Sequence, residues 1–126
     1  MQRTMQILVG LVALLLLGLG LNFLLNPLGG AAQWALVPEG IRGLNSLRGD
    51  FGGMFIGCAI VLLVGLLRRE SLWFLAVAIT IGSIALGRCV GFVLDGFAGN
   101  SLPEFLAEVV MVAVLVLAHF CARPAA

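Results

Sequence analysis

From Met5 to Leu25 no side chain carries a charge. A helix over that run, at ~1.5 Å per residue, is long enough to cross the ~30 Å hydrocarbon core of a bilayer. A small water-soluble fold has too little interior to hide it. Three comparable runs follow. The second covers about 47–67 and ends at Arg68-Arg69-Glu70. The third covers about 72–94 and is broken only by Arg88. The fourth, about 103–121, holds Glu104 and Glu108 near its start. Composition agrees: 62% of residues are apolar, 10% are charged and the mean hydropathy is +1.19, against about 45–50% apolar and ~25% charged in a soluble domain. These values exclude a soluble enzyme, a nucleic-acid binder and a disordered chain. The expectation is an all-α integral membrane bundle of four transmembrane helices, forming a single domain over residues 1–126.

Local signals set the ends of the spans. Asn26-Pro27 stops the first, because the residue before proline is disfavoured in the α region. Asn45 or Ser46 is an expected N-cap for the second and Ser71 for the third. Asp95-Gly96 and Gly99-Asn100 supply a turn. Ser101, Pro103 and Glu104 fit cap, first-turn proline and capping-box acid of the fourth, which Arg123-Pro124 closes. The apolar core of the first span exceeds the ~7–15 residues of a signal-peptide h-region, so it is read as a retained anchor. Trp34 and Trp73 suit an aromatic belt. The weakly charged segment 30–40 is expected to lie on the outer surface as a short interfacial helix.

Arginine placement gives an orientation. Arg3, Arg68, Arg69 and Arg123 share one side with Glu70. Arg42, Arg48 and Arg88 share the other with Glu39, Asp50, Asp95, Glu104 and Glu108. The positive-inside rule then puts both termini in the cytoplasm.

On the extracytoplasmic side three spans bring ionisable groups to a similar depth. Such groups are costly in lipid, so they face the protein interior and pair. The seven basic residues are all arginine, whose guanidinium can fork onto a carboxylate. The expected network joins Arg48 and Arg88 to Glu108 and Asp95, with Asn45 in support and Asp50 beside it. Glu104 and Glu108, four apart, repel unless a cation or proton is shared. The plainer reading is that these pairs only fix helix register. Small-residue ladders, Gly49-Gly53-Gly57 on the second span and Ser83-Gly87-Gly91 on the third, are expected to pack helices closely. Gly52-Gly53 leaves bare backbone beside Arg48 and Asp50, where a lipid headgroup or small ligand could enter.

The set Asn45-x-x-Arg48-x-x-x-Gly52-Gly53-x-x-x-Gly57, Gly87-Arg88-x-x-Gly91-x-x-x-Asp95-Gly96 and Glu108 resembles a bacterial family of four-helix membrane proteins, domain of unknown function 4345. The resemblance covers nearly the whole chain, including Pro27 after the first span. It implies a small integral membrane protein and supplies no reaction or substrate.

Other signals are weaker. Cys58, Cys89 and Cys121 lack a Cys-x-x-Cys pair and read as buried apolar thiols. His119 reads as an interfacial side chain reaching toward water, since His-x-Cys supplies only two ligands and does not close a metal site. No cofactor is implied. Three functions remain. The first is a non-enzymatic module that binds a membrane lipid, a small apolar molecule or a membrane partner, a second copy of the chain included. The second is a proton-coupled transporter using Glu108, working as an oligomer. The third is a lipid enzyme with Asp95 or Glu108 as base and Arg48 on a headgroup phosphate; it lacks a nucleophile.

Overall fold

A computed structural model describes residues 2–97 and 99–122, and its regular elements are all helical. In chain order these are α1 (Gln2–Leu25), α2 (Pro27–Gln33), α3 (Gly40–Ser46), a π-helical segment (Leu47–Gly53), α4 (Met54–Arg68), α5 (Leu72–Leu94), a 3-10 turn (Gly99–Ser101) and α6 (Leu102–Ala122). Four continuous stretches are long and apolar enough to cross a membrane: Gln2–Leu25, Gly40–Arg68, Leu72–Leu94 and Gly99–Ala122. The four expected spans are therefore present. Arg123 and Pro124, expected to close the last of them, lie outside the described residues.

The ends follow local chemistry with two corrections. Asn26 stops α1 and caps α2, its side-chain oxygen accepting the Gly29 N–H at 3.2 Å, with Pro27 in the first position. The second stretch starts earlier than its expected cap. Asn45 and Ser46 lie inside α3, and Glu39 occupies the N-cap without a side-chain hydrogen bond. Here the helix runs unbroken through both residues into the π-helical segment, so neither has a free helix end to cap. Ser71 stands at the N-cap of α5, again without a side-chain cap. Gly96 has φ +101°, a conformation that glycine adopts without penalty, at the expected turn after α5.

The residues form two compact units, one of 1–9 with 64–126 and one of 10–63. In the first, α5 and α6 pack together. Phe74, Val77, Ala78, Ile81 and Ala85 are buried on α5, and Met111, Leu115 and Ala118 on α6. Both sets repeat at three- and four-residue steps, so each is one stripe of its helix. Outside those stripes large apolar side chains such as Ile79 and Leu117 stay exposed, as expected of a surface that meets lipid.

In the second unit Phe23 is buried and lies within 5.2–6.2 Å, centroid to centroid, of Trp34, Phe51 and Phe55. Trp34 is thus part of an aromatic cluster. Gly30 of α2 closes on the Phe23 ring, where a Cβ would lie 3.0 Å from Cδ1. Ring pairs of this kind contribute roughly 0.5–1.5 kcal/mol each beyond area burial. Phe23→Leu, which keeps an apolar side chain but removes the ring from all three pairs, should therefore cost at least about 1.5 kcal/mol, read as a lower midpoint in denaturant titration of the detergent-solubilised protein.

The close helix approach in this unit falls at Gly20 and Gly52. A Cβ on Gly20 would lie 2.9 Å from the carbonyl oxygen of Gly52 and from the backbone nitrogen of Ile56. The ladder Gly49-Gly53-Gly57 does not do this. A Cβ at Gly49, Gly53, Gly57 or Gly87 meets no described atom within 4 Å, and one at Gly91 meets only the Asp95 carboxylate at 3.8 Å. The π-helical segment explains the change on the second stretch. Its i→i+5 bonding turns the chain less per residue, so the faces on either side of it are offset from those of a continuous α-helix. Gly52, off that ladder, is the one that meets α1.

Candidate functional site

Position 108 continues the buried stripe of α6 through Met111, Leu115 and Ala118, and this register carries a carboxylate into an apolar interior. Glu108 is 6% exposed. It meets Arg88, four helical turns or so into α5, whose Nε donates to Glu108 Oε1 at 2.8 Å. The bond is charge-assisted and joins the two helices near one end. The other oxygen, Oε2 of Glu108, is buried without a hydrogen-bond partner, and so is Oε2 of Glu104 one turn earlier. Unpaired buried acceptors are uncommon in folded proteins and cost roughly 1–3 kcal/mol each, more when charged.

Arg88 also lines an open groove of about 220 Å³ with Gly91, Phe92, Asp95, Gly96 and Ser101. Arg88 on α5 and Asp95, seven residues later at the C-cap of that helix, share this groove. Phe92 forms one wall and is braced by Phe97 at 5.3 Å and Phe105 at 5.8 Å. Phe92 was not among the residues singled out in the sequence, and Ser101 was singled out only as a helix cap. Phe92 lies four residues after Arg88, a spacing that puts both on one helix face.

The remaining members of the expected network have other surroundings. Arg48 donates from Nη1 to the carbonyl of Leu24. Leu24 is in the last turn of α1, where carbonyls have no partner within the helix, so Arg48 satisfies that helix end. Asn45 and Asp50 are exposed in the second unit. Arg48 accordingly has a structural task at the end of α1, whereas Arg88, Asp95, Glu104 and Glu108 belong to the first unit, where the groove lies.

His119 corrects another expectation. It is buried at 3% exposure, and Nδ1 lies 3.0 Å from the Ser71 carbonyl. A carbonyl accepts only, so Nδ1 carries the hydrogen. The ring therefore clasps the end of α6 to the start of α5. Its position on the stripe with Leu115 and Ala118 is the signal that could have shown this. Of the cysteines, Cys58 is buried, Cys89 exposed and Cys121 half-buried, and all are free thiols. No group of three His, Cys, Asp or Glu residues suited to a metal occurs among the described residues.

Comparison with curated proteins finds no match, and no solved structure matches either. The model of one family, the domain of unknown function DUF4345, matches residues 4–119, and the chain belongs to that family.

Proposed function

We propose that this protein is a non-enzymatic membrane module that binds a lipid or small amphiphilic molecule beside the Arg88–Glu108 pair. The observation that carries the reading is the pair of buried, unpartnered oxygens on Glu104 and Glu108. A staple that only joined α5 to α6 would be complete with Arg88 on Glu108 and would leave both oxygens as a standing cost. A ligand whose N–H or O–H groups reach these oxygens from an apolar body would remove that cost. Arg88 and Asp95 at the groove complement a head that carries both signs of charge. Among the occupants expected from the sequence, this favours a lipid over a purely apolar molecule or a membrane partner. The basic groups Arg3, Arg68 and Arg69 favour a cytoplasmic-side position for that end of the chain, in an inner membrane.

The test is native mass spectrometry from mild detergent. Wild type should retain an adduct of lipid-like mass. Replacing a buried ion pair by apolar residues of similar volume is often neutral for stability, so Arg88→Met with Glu108→Leu should fold and lose the adduct. An adduct kept by the double variant, or absent from wild type, would overturn the reading.

A second reading, a proton-coupled transporter using Glu108 in an oligomer, draws on the same two oxygens, where a shared proton could stand in for a ligand donor. The site lies near helix ends, and transport sites usually lie at mid-membrane. Substrate flux into proteoliposomes that follows an imposed pH gradient and disappears in Glu108→Gln would favour it over simple binding.

A further inference from the structure

We infer a second binding site at the far end of the same helices, a groove between Arg3 and Arg69 that takes the phosphate of an anionic phospholipid. Arg3 stands in the first turn of α1 and Arg69 in the turn after α4, yet both line one open groove of about 560 Å³ with Gln6, Ile7 and Leu66. A narrower cavity of about 40 Å³ adjoins it, sharing Gln6, Leu66 and Arg69 and reaching Gln2 and Ser71. Two guanidinium groups and side-chain amides thus edge a surface whose other walls are aliphatic. No acid is among the lining residues. The nearest one in sequence, Glu70, is engaged elsewhere, accepting the Trp73 Nε1–H at 2.7 Å. Guanidinium groups match phosphate oxygens in geometry as well as charge. Ile7, 64% exposed on the groove wall, continues the surface into the apolar zone where an acyl chain would run. Arginines paired across a groove and backed by aliphatic walls fit a membrane-bound phosphate better than a freely soluble one.

Arg69 carries a further indication. It sits in the left-handed region, φ +57°, at the position just after a helix where glycine is the usual residue. Its backbone is held there by the bonds from its own N–H to the Leu66 carbonyl and from the Glu70 N–H to the Gly65 carbonyl. A side chain is disfavoured in this conformation, so Arg69 stands here at a cost that glycine would not carry. The same geometry supplies the test, because Arg69→Gly removes the charge while suiting the backbone.

Phosphatidylglycerol is titrated into the detergent-solubilised protein and binding is read by native mass spectrometry. Arg69→Gly and Arg3→Gln should each weaken binding roughly fivefold, the scale of one basic residue at an anionic surface, with the Arg69→Gly melting temperature unchanged or raised. Phosphatidylcholine should bind less well than phosphatidylglycerol. The double variant Arg88→Met, Glu108→Leu should keep phosphatidylglycerol binding, which separates this site from the one proposed above. Undiminished binding by Arg69→Gly would overturn the inference. So would displacement of the lipid by millimolar inorganic phosphate, which would make the groove a site for free phosphate.

Discussion

Arg88→Ala should destabilise the protein by about 3–5 kcal/mol, the range for removing one partner of a buried ion pair. The cost arises on Glu108. That residue is 6% exposed, Oε2 already has no partner, and the substitution takes the Arg88 Nε–H from Oε1. Water does not make good the loss beside an apolar stripe that continues through Met111 and Leu115, and the hydrocarbon core of a bilayer has no donors. Denaturant titration of wild type and variant in the same detergent measures the difference. Arg88→Met combined with Glu108→Leu should recover most of it, since the buried carboxylate leaves with its partner. A single variant that melts with wild type would mean that Glu108 is not a buried anion dependent on Arg88.

Gly20→Ala should cost about 1–3 kcal/mol, the usual penalty for forcing extra atoms into a tight contact. The added methyl would lie 2.6 Å from Ile56 Cγ1 and 2.9 Å from the Gly52 oxygen and the Ile56 nitrogen. The Ile56 side chain can rotate away, but the two backbone atoms move only if the helices separate. Separation would also loosen Phe23 within its aromatic cluster, because Phe51 and Phe55 flank Ile56 in the opposing stretch. Gly57→Ala is the control. Its Cβ meets nothing within 4 Å, and alanine is the better helix former by roughly 0.5–1 kcal/mol, so that variant should match or exceed wild type. Equal stability of the two variants would contradict the close approach at Gly20.

Spans were legible because lipid imposes a crude rule. A stretch of about twenty apolar residues is both necessary and visible, and stops such as Asn26-Pro27 act through local sterics that need no partner. The Arg88–Glu108 pair was legible for a related reason: charges deep within apolar runs must pair, and few candidates share that depth. What escaped was set by geometry that leaves little trace in residue order. The π-helical turn at Leu47–Gly53 shifts every face after it. Within it Gly52, off the Gly49-Gly53-Gly57 ladder, makes the close contact, and Arg48 reaches the Leu24 carbonyl. His119 was misread because an ionisable residue near a helix end normally reaches for water, whereas here the Ser71 carbonyl lies 3.0 Å from its Nδ1. The groove that Arg3 and Arg69 share was not legible, since their meeting depends on contacts between segments more than sixty residues apart.

The central claim is that the Arg88–Glu108 site receives a ligand and is not only a clasp between α5 and α6. The most direct measurement is the Arg88 Nε–H resonance of the ¹⁵N-labelled protein in detergent, assigned by its loss in Arg88→Lys, while phosphatidylethanolamine is titrated in. Its head supplies N–H donors and a phosphate together. The resonance should move to a saturating end point, with no such movement for Arg48. An Arg88 resonance that stays fixed throughout would contradict the account and leave the pair as a staple.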